Sequence, residues 1–304
     1  MTSARPMRLR RCQLAVPGSS EKMLTKAAAS SADHIFCDLE DAVAPAAKVP
    51  ARQTIVKALT TLDWTGKTRC VRINDVRTEW CYEDIIEVVG GARENLDTIM
   101  VPKVLRASDI VFIDLLLGQL EMKLKLQKTI GIEVLIEETE ALQNVDTIAL
   151  ASPRIESLIF GMGDYSASQQ IAMREIGRSD GYPGDIFHYP RFRIAAAARA
   201  AGVDPIDGPY ANFKDEEGLT RECKRALALG FAGKWAIHPA QIETALTIFS
   251  PRPEDVARAR EMTASFERAV ADGVGSVNVR GVMVDIATVR LLSNTIKRAE
   301  MIGM

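Results

Sequence analysis

GIEVLIEETEALQNVDTIALASPRIESLIFGMGD (131–164) opens on a nearly continuous apolar run, crosses a helix-like stretch and closes on a second apolar run. Runs this apolar read as strands covered on both faces, the mark of a parallel sheet, with the stretch between them as the crossover helix. Each run leads to a carboxylate, Glu137 after the first and Asp164 just past the second. The same alternation extends outward in both directions. Strands are predicted at Cys12–Val16, His34–Leu39, Thr68–Ile73, Thr98–Pro102, Gly131–Ile136, Ser157–Gly161, Val203–Asp207 and Gly233–His238. Amphipathic stretches lie between them at Ala51–Leu62, Cys81–Val89, Ser108–Leu124, Glu138–Ala149, Pro190–Ala201 and Gly218–Leu229.

Alternating strands and helices imply a parallel sheet, either open or closed into a barrel. The polar residues decide between the two. Turn-forming or charged signatures follow the strands throughout: VPGSS (16–20), DLEDAV (38–43), RIND (72–75), VPK (101–103), EVLIEE (133–138), GMGDYS (161–166), IDGPY (206–210) and AIHPA (236–240). An open sheet would gather such residues at one switch point. Their spread over all eight strands predicts a (β/α)8 TIM barrel, whose strand ends converge on one mouth.

Beyond Ser250 the pattern changes. A Pro-punctuated helix start at Pro253–Glu254, a hairpin around Arg280–Gly281 and a final helix from Ile286 exceed what eight βα units need. We therefore expect a catalytic barrel over 1–249 and a C-terminal helical extension over 250–304. That extension is expected to pack on the barrel mouth or on a neighbouring subunit.

Composition excludes some classes. The 304 residues are 47% hydrophobic and 26% charged, with a net charge of −2, which gives no reason to expect nucleic acid or a membrane surface as partner. The basic N-terminus lacks a signal-peptide apolar core, so a cytoplasmic location is expected. Cys12, Cys37, Cys70, Cys81 and Cys223 form no CxxC pair and read as small buried hydrophobes.

Two carboxylates projected from successive strand ends suit Mg²⁺, which takes few protein oxygens and leaves other positions to water and substrate. On spacing alone the alternative stays equally open: both are turn acids, with Asp164 as a helix N-cap. The DLED run adds Asp38, Glu40 and Asp41, which would repel one another unless solvated, metal-linked or paired with arginine. Strand alternation is expected to turn Asp38 away, leaving Glu40 and Asp41 better placed near the ion. Arg72 can grip a carboxylate by two parallel hydrogen bonds, or pair structurally with a DLED acid, and both can hold at once. Gly161 and Gly163 expose backbone N–H groups or simply make a tight turn. His238 is read as structural. No GxSxG, HExxH, Walker A or strand–GxGxxG–helix motif is present.

The ordered set LAVPGSS (14–20), DLEDAVAPAAK (38–48), VRIN (71–74), VPKV (101–104), EVLIE (133–137), FGMGDYSAS (160–168), IDGPYANFKDEEGL (206–219), ALGFAGKWAIHPAQI (228–242) and GVMVDIATVR (281–290) resembles the citrate lyase beta-subunit-like family, the HpcH/HpaI aldolase/citrate lyases, which includes malyl-CoA and β-methylmalyl-CoA lyases. The resemblance spans nearly the whole chain. It implies a homo-oligomer, trimer or hexamer, with Glu137 and Asp164 ligating Mg²⁺ or Mn²⁺ and with Glu40 and Asp41 supporting the ion's waters. Arg72, Gly161, Met162 and Gly163 would bind substrate oxygens. Asp285, which no spacing argument singles out, would be the catalytic acid/base reaching a neighbouring subunit's site. Pro17, Ser19, Lys22 and Lys26 would contact coenzyme A.

The implied reaction is a reversible Claisen-type cleavage of a 3-hydroxyacyl-CoA thioester into acetyl-CoA or propionyl-CoA and the 2-oxoacid glyoxylate. The competing readings are a citramalyl-CoA lyase, a citrate lyase beta subunit, a malyl-CoA thioesterase, and, in a different class, a catalytically silent CoA-binding protein. The segment Gln169–Tyr189 is shorter than in typical malyl-CoA lyases and closer to the citrate lyase and citramalyl-CoA branches. The GMGDYSAS and GKWAIHPAQI spellings lean toward malyl-CoA lyase.

Overall fold

The computed structural model describes residues 5–172, 176 and 184–304. The Gln169–Tyr189 segment thus lies in large part outside the described residues. Strands β1 (Cys12–Pro17), β2 (His34–Asp38), β3 (Thr68–Arg72), β4 (Thr98–Val101), β5 (Gly131–Ile136), β6 (Ile155–Phe160), β7 (Asp204–Asp207) and β8 (Gly233–Ala236) pair in parallel, each with the next. β8 pairs back onto β1, so the sheet closes into a (β/α)8 barrel. All eight predicted strands are present.

Helices α1 (Glu21–Ala28), α2 (Lys48–Thr61), α3 (Cys81–Ala92), α4 (Ala107–Leu124), α5 (Thr139–Gln143), α6 (Val145–Ala149), α7 (Met162–Ser168), α8 (His188–Ala200), α9 (Glu216–Ala228) and α10 (Ile242–Phe249) alternate with the strands or follow the last of them. The helix expected over Glu138–Ala149 is two short ones instead. Its interruption at Asn144 accompanies a tertiary bond, in which the Asn144 amide donates to the Leu105 carbonyl at 2.9 Å. Helices α1, α7 and α10 were not expected. Each has eight residues or fewer, too short for a helical period to stand out.

One layer of side chains fills the barrel centre: Phe36, Cys70, Met100, Leu135, Ile159, Ile206 and Trp235, with Ala15 from β1. Phe36 meets Trp235 edge to face at 4.8 Å between centroids. Because side chains alternate with a period of two, the residue two places after each layer member faces the same interior, nearer the mouth. That rule places Asp38 above Phe36, Arg72 above Cys70, Glu137 above Leu135 and Gly161 above Ile159.

Two places earlier lie His34, Thr98, Glu133 and Ser157, a polar layer below the apolar one. There Glu133, fully buried, accepts from His34 at 2.9 Å, Gln13 at 3.0 Å, Thr98 at 3.2 Å and Arg10 at 3.4 Å. Among the described residues, His34, Cys70 and Glu133 are the one trio of metal-capable side chains whose ligand atoms lie within 4.8 Å of one another. They do not make a convincing metal centre. Glu133 is already committed to these donors, and burial pushes the Cys70 thiol well up, keeping it protonated.

The chain divides into two compact units, Met1–Thr247 and Ile248–Met304. The second contains α11 (Pro253–Ala271), a hairpin of β9 (Val277–Val279) and β10 (Val282–Val284), and α12 (Ile286–Met301). Met262, Phe266, Val279 and Val284 form its core. The hairpin turns at Arg280 and Gly281 with φ of 53° and 82°, the doubly left-handed geometry of a two-residue turn.

Candidate active site

The mouth is built from strand ends. Glu137 follows β5 and is 2% exposed. Its Oε1 accepts the Lys103 backbone N–H at 2.7 Å, and among the described residues it makes no ion pair. Burial, reinforced by the nearby charges of Glu40 and Asp164, pushes its pKa up to about 8. Gly161 lies directly against it, since an added Cβ there would collide with the Glu137 side chain. Gly161 is the N-cap of α7, and Asp164 occupies the third helical position, half-buried, rather than the N-cap. Met162 is buried in the same first turn.

Asp38 is placed otherwise than expected. It is fully buried and faces the barrel interior, because it stands two residues beyond the core side chain Phe36. Arg72 clasps it through Nε at 2.7 Å and Nη2 at 2.6 Å. Asp38 also accepts from the Glu40 and Ala42 N–H groups at 2.9 and 3.0 Å, which shapes the DLED turn. Burial opposes its charge, but the Arg72 guanidinium and those N–H groups hold its carboxyl below the usual range.

The remaining edge of Arg72 points to Glu40, with Nη1 3.0 Å from Oε2. That approach lacks hydrogen-bond alignment, and Glu40 Oε2 is buried without a hydrogen-bond partner. Burial raises the Glu40 pKa despite Arg72 and Lys103 beside it. Lys103 donates to Glu40 Oε1 and to Asp41 Oδ1, the latter at 3.2 Å. Asp41 is the exposed member, its side chain 54% accessible.

Five residues that organise this mouth, Lys103, Lys48, Asn74, Asp84 and Arg52, have no role in the sequence reading. Lys103 follows Pro102 in the quoted VPK motif; a lysine at a strand end was the available signal. Lys48 is buried, and its Nζ donates to the Leu39 carbonyl at 2.9 Å, the Glu40 carbonyl at 2.7 Å and Asn74 at 2.6 Å. Asn74 in turn donates to Asp84 from its backbone and side chain, at 2.9 and 2.7 Å. Arg52 completes the chain at 2.8 Å from Asp84. The DLED turn therefore hangs on a buried polar lattice that local spacing does not reveal.

Pro17 ends β1, Ser19 and Lys22 stand exposed around the turn into α1, and Lys26 stands exposed in the last turn of that helix. Gly18 is required there, since a Cβ would lie 2.6 Å from the Asp38 carbonyl. His238 stacks on Phe213 at 4.4 Å and accepts the Ala240 N–H through Nδ1 at 3.1 Å. Asp285 lies in the second unit as the N-cap of α12, its Oδ1 accepting from the Thr288 N–H at 2.9 Å. The Thr288 backbone N–H, with its hydroxyl, holds the Asp285 carboxyl below the usual range.

The donor set fits a small hard cation. It offers carboxylate oxygens only, one of them a buried acid whose charge is under-compensated, with an orphaned oxygen on Glu40 nearby.

Fold and mouth together define a (β/α)8-barrel enzyme organised around a carboxylate cluster. The HpcH/HpaI aldolase/citrate lyase family matches residues 11–239, and the chain belongs to that family, an enzyme of the carbon–carbon lyase class. It is 39% identical over 306 residues to the L-malyl-CoA/β-methylmalyl-CoA lyase of Rhodobacter capsulatus, covering 97% of this chain and 96% of that protein. It is 35% identical over 294 residues to the (3S)-malyl-CoA thioesterase of Cereibacter sphaeroides, covering 96% and 95%. Among solved structures, the CitE protein of Mycobacterium tuberculosis, in complex with magnesium, acetoacetate and coenzyme A, superposes with a TM-score of 0.75. It shares 28% identity over 99% of this chain and 100% of that one. No helix among the described residues is long and apolar enough to cross a membrane.

Proposed function

We propose that the protein reversibly cleaves a 3-hydroxyacyl-CoA thioester, malyl-CoA or β-methylmalyl-CoA, to acetyl-CoA or propionyl-CoA and glyoxylate. The observation that carries this reading is the juxtaposition of the buried, under-compensated Glu137 with Asp164 and Arg72, in a chain similar end to end to a lyase of that specificity.

In this reading Glu137 and Asp164 hold Mg²⁺, which supplies Lewis-acid polarisation of the 2-oxoacid. Arg72 serves two partners. Asp38 takes Nε and one Nη2 hydrogen, while Nη1, 3.0 Å from Glu40 Oε2 but without an aligned hydrogen bond, is the part of the guanidinium left to meet the developing oxyanion. Gly161 keeps Glu137 and the backbone in close approach, with the buried Met162 beside it in the first turn of α7. The Pro17–Ser19 turn, with Lys22 and Lys26, presents a basic exposed surface suited to the coenzyme A phosphates.

Asp285 moves the proton at the thioester α-carbon. Its capping bonds make it a weak base, so positioning must supply much of the rate. It acts here from the second unit of a neighbouring copy in a homo-oligomer. Mixing inactive Asp285→Asn and Asp164→Asn variants, under conditions that allow subunit exchange, is expected to restore a fraction of activity. No recovery in verified hybrids would count against sites shared between subunits.

A thioester panel tests the whole reading. Malyl-CoA, β-methylmalyl-CoA and citramalyl-CoA are supplied with Mg²⁺ or with chelator, and glyoxylate, pyruvate and free CoA are measured separately. We expect glyoxylate with no free CoA, and a fall on chelation on the order of 10³-fold, because a Lewis acid contributes several kcal/mol to the barrier. Pyruvate from citramalyl-CoA alone would shift the assignment to that branch. Free CoA without cleavage would favour the thioesterase reading, to which the 35% identity lends weight. Turnover indifferent to chelator would sink the metal.

A further inference from the structure

Lys103 is pinned in an unusual way. Its backbone is left-handed, with φ of 50°, a conformation that costs a residue with a Cβ about 1–2 kcal/mol. Three contacts hold it there. Its N–H donates to Glu137, its carbonyl accepts from Arg77, and its Nζ bridges Glu40 and Asp41. Strain maintained by several contacts at one strand end marks a residue whose placement matters. The side chain nevertheless keeps 24% of its surface accessible, so the ammonium sits at the rim rather than in the core.

The acids supply the reason. Glu40, Asp41, Glu137 and Asp164 share one mouth, and Glu40 Oε2 is buried with no hydrogen bond. Released from Lys103, and facing Arg72 Nη1 at 3.0 Å without an aligned hydrogen bond, Glu40 would be drawn toward a divalent cation beside Glu137. A cation enclosed by three or four carboxylates is bound tightly but has fewer positions left for substrate oxygens.

We infer that Lys103 limits how many protein carboxylates reach the ion. By tying back Glu40 and Asp41 it leaves Glu137 and Asp164 as ligands and keeps the remaining positions for water and the 2-oxoacid. The inference rests on the reading of Glu137 and Asp164 as ligands, and it makes Lys103 a positioning residue.

The test uses Mn²⁺ as a probe on the full-length protein. Free Mn²⁺ is counted by electron paramagnetic resonance, and water on the bound ion by proton relaxation. Lys103→Met removes the charge and keeps the chain length. Lys103→Asn is the second variant, since asparagine tolerates the left-handed backbone, and Lys103→Arg retains the charge. We expect the Met and Asn variants to bind Mn²⁺ roughly 10-fold tighter, because ligand charge count sets affinity. Their bound ion should carry fewer waters, and glyoxylate should bind the Mn²⁺ form more weakly. Arg should resemble the wild type, and adding Glu40→Gln to Lys103→Met should reverse both the affinity and the hydration change.

Unchanged or weaker Mn²⁺ binding in the folded variants would overturn the inference. So would tighter binding with unchanged hydration, which would be a distant charge effect alone. If the wild type itself bound no Mn²⁺, the ligand reading would fail, and this inference with it. Equal binding and hydration in wild type and variants would remove only the role of Lys103.

Discussion

Glu137→Gln is expected to raise the melting temperature of the metal-free protein at pH 9 while abolishing stabilisation by Mg²⁺. The folded-state pKa of Glu137 is about 8, against about 4.3 for an unperturbed glutamate. A carboxyl raised in this way favours folding while protonated. Its contribution is full below pH 4.3 and is lost as pH rises through 8, where the buried group must ionise. At pH 9 the wild type therefore carries a penalty on the order of 3–5 kcal/mol, which the neutral isostere lacks. For a chain of this size the difference amounts to roughly 5–10 °C in Tm.

Mg²⁺ should reverse the order. An ion that binds only the folded wild type adds about 2.7 kcal/mol at 100 times its Kd, and it adds most at alkaline pH, where Glu137 is ionised. The variant gains nothing from it. Melting curves at pH 6 and 9, with and without Mg²⁺, check all four corners. Equal Tm for the two proteins at both pH values would show that Glu137 is not the under-compensated acid described here.

Arg72→Met is expected to lower stability by about 3–5 kcal/mol, because it leaves Asp38 as a buried, unpaired charge. It should also reduce kcat/KM by on the order of 10³-fold, through loss of the cation facing the developing oxyanion. Two further variants separate these effects. Asp38→Asn combined with Arg72→Met removes both charges and should recover most of the stability and none of the activity. Arg72→Lys keeps the charge but replaces a planar fork with a point donor, so it should fold and remain slow. Activity returning together with stability in the double variant would mean that Arg72 acts only as scaffold.

Much of the barrel is legible in one dimension. Its strands are apolar on both faces and so appear as short continuous runs, and their polar ends fall in phase around the whole sheet. The hairpin at Arg280–Gly281 and the start of α11 at Pro253 are likewise local chemistry, a two-residue turn and a proline at a helix start. The short helices α1, α7 and α10 escaped because one or two turns show no period.

The site divides along the same line. Glu137 and Arg72 are strand-end residues, and their place at the close of an apolar run is what the sequence shows; that they stand two places beyond the core residues Leu135 and Cys70 comes from the structure. Asp38 obeys the same rule from Phe36, but sequence alone does not say which residues of β2 form the core layer. Only the closed barrel, bringing Phe36 against Trp235, fixes that choice.

Glu137 and Asp164 are placed by sequence at consecutive strand ends, since each follows its own apolar run. What they experience there was decided by tertiary structure. Burial, the convergence of Glu40, and the single N–H offered by Lys103 make Glu137 an under-compensated acid. Strand and turn chemistry acts between neighbours in the chain and can be read along it. Electrostatics in a barrel mouth acts between residues tens of positions apart, and no local pattern carries that information.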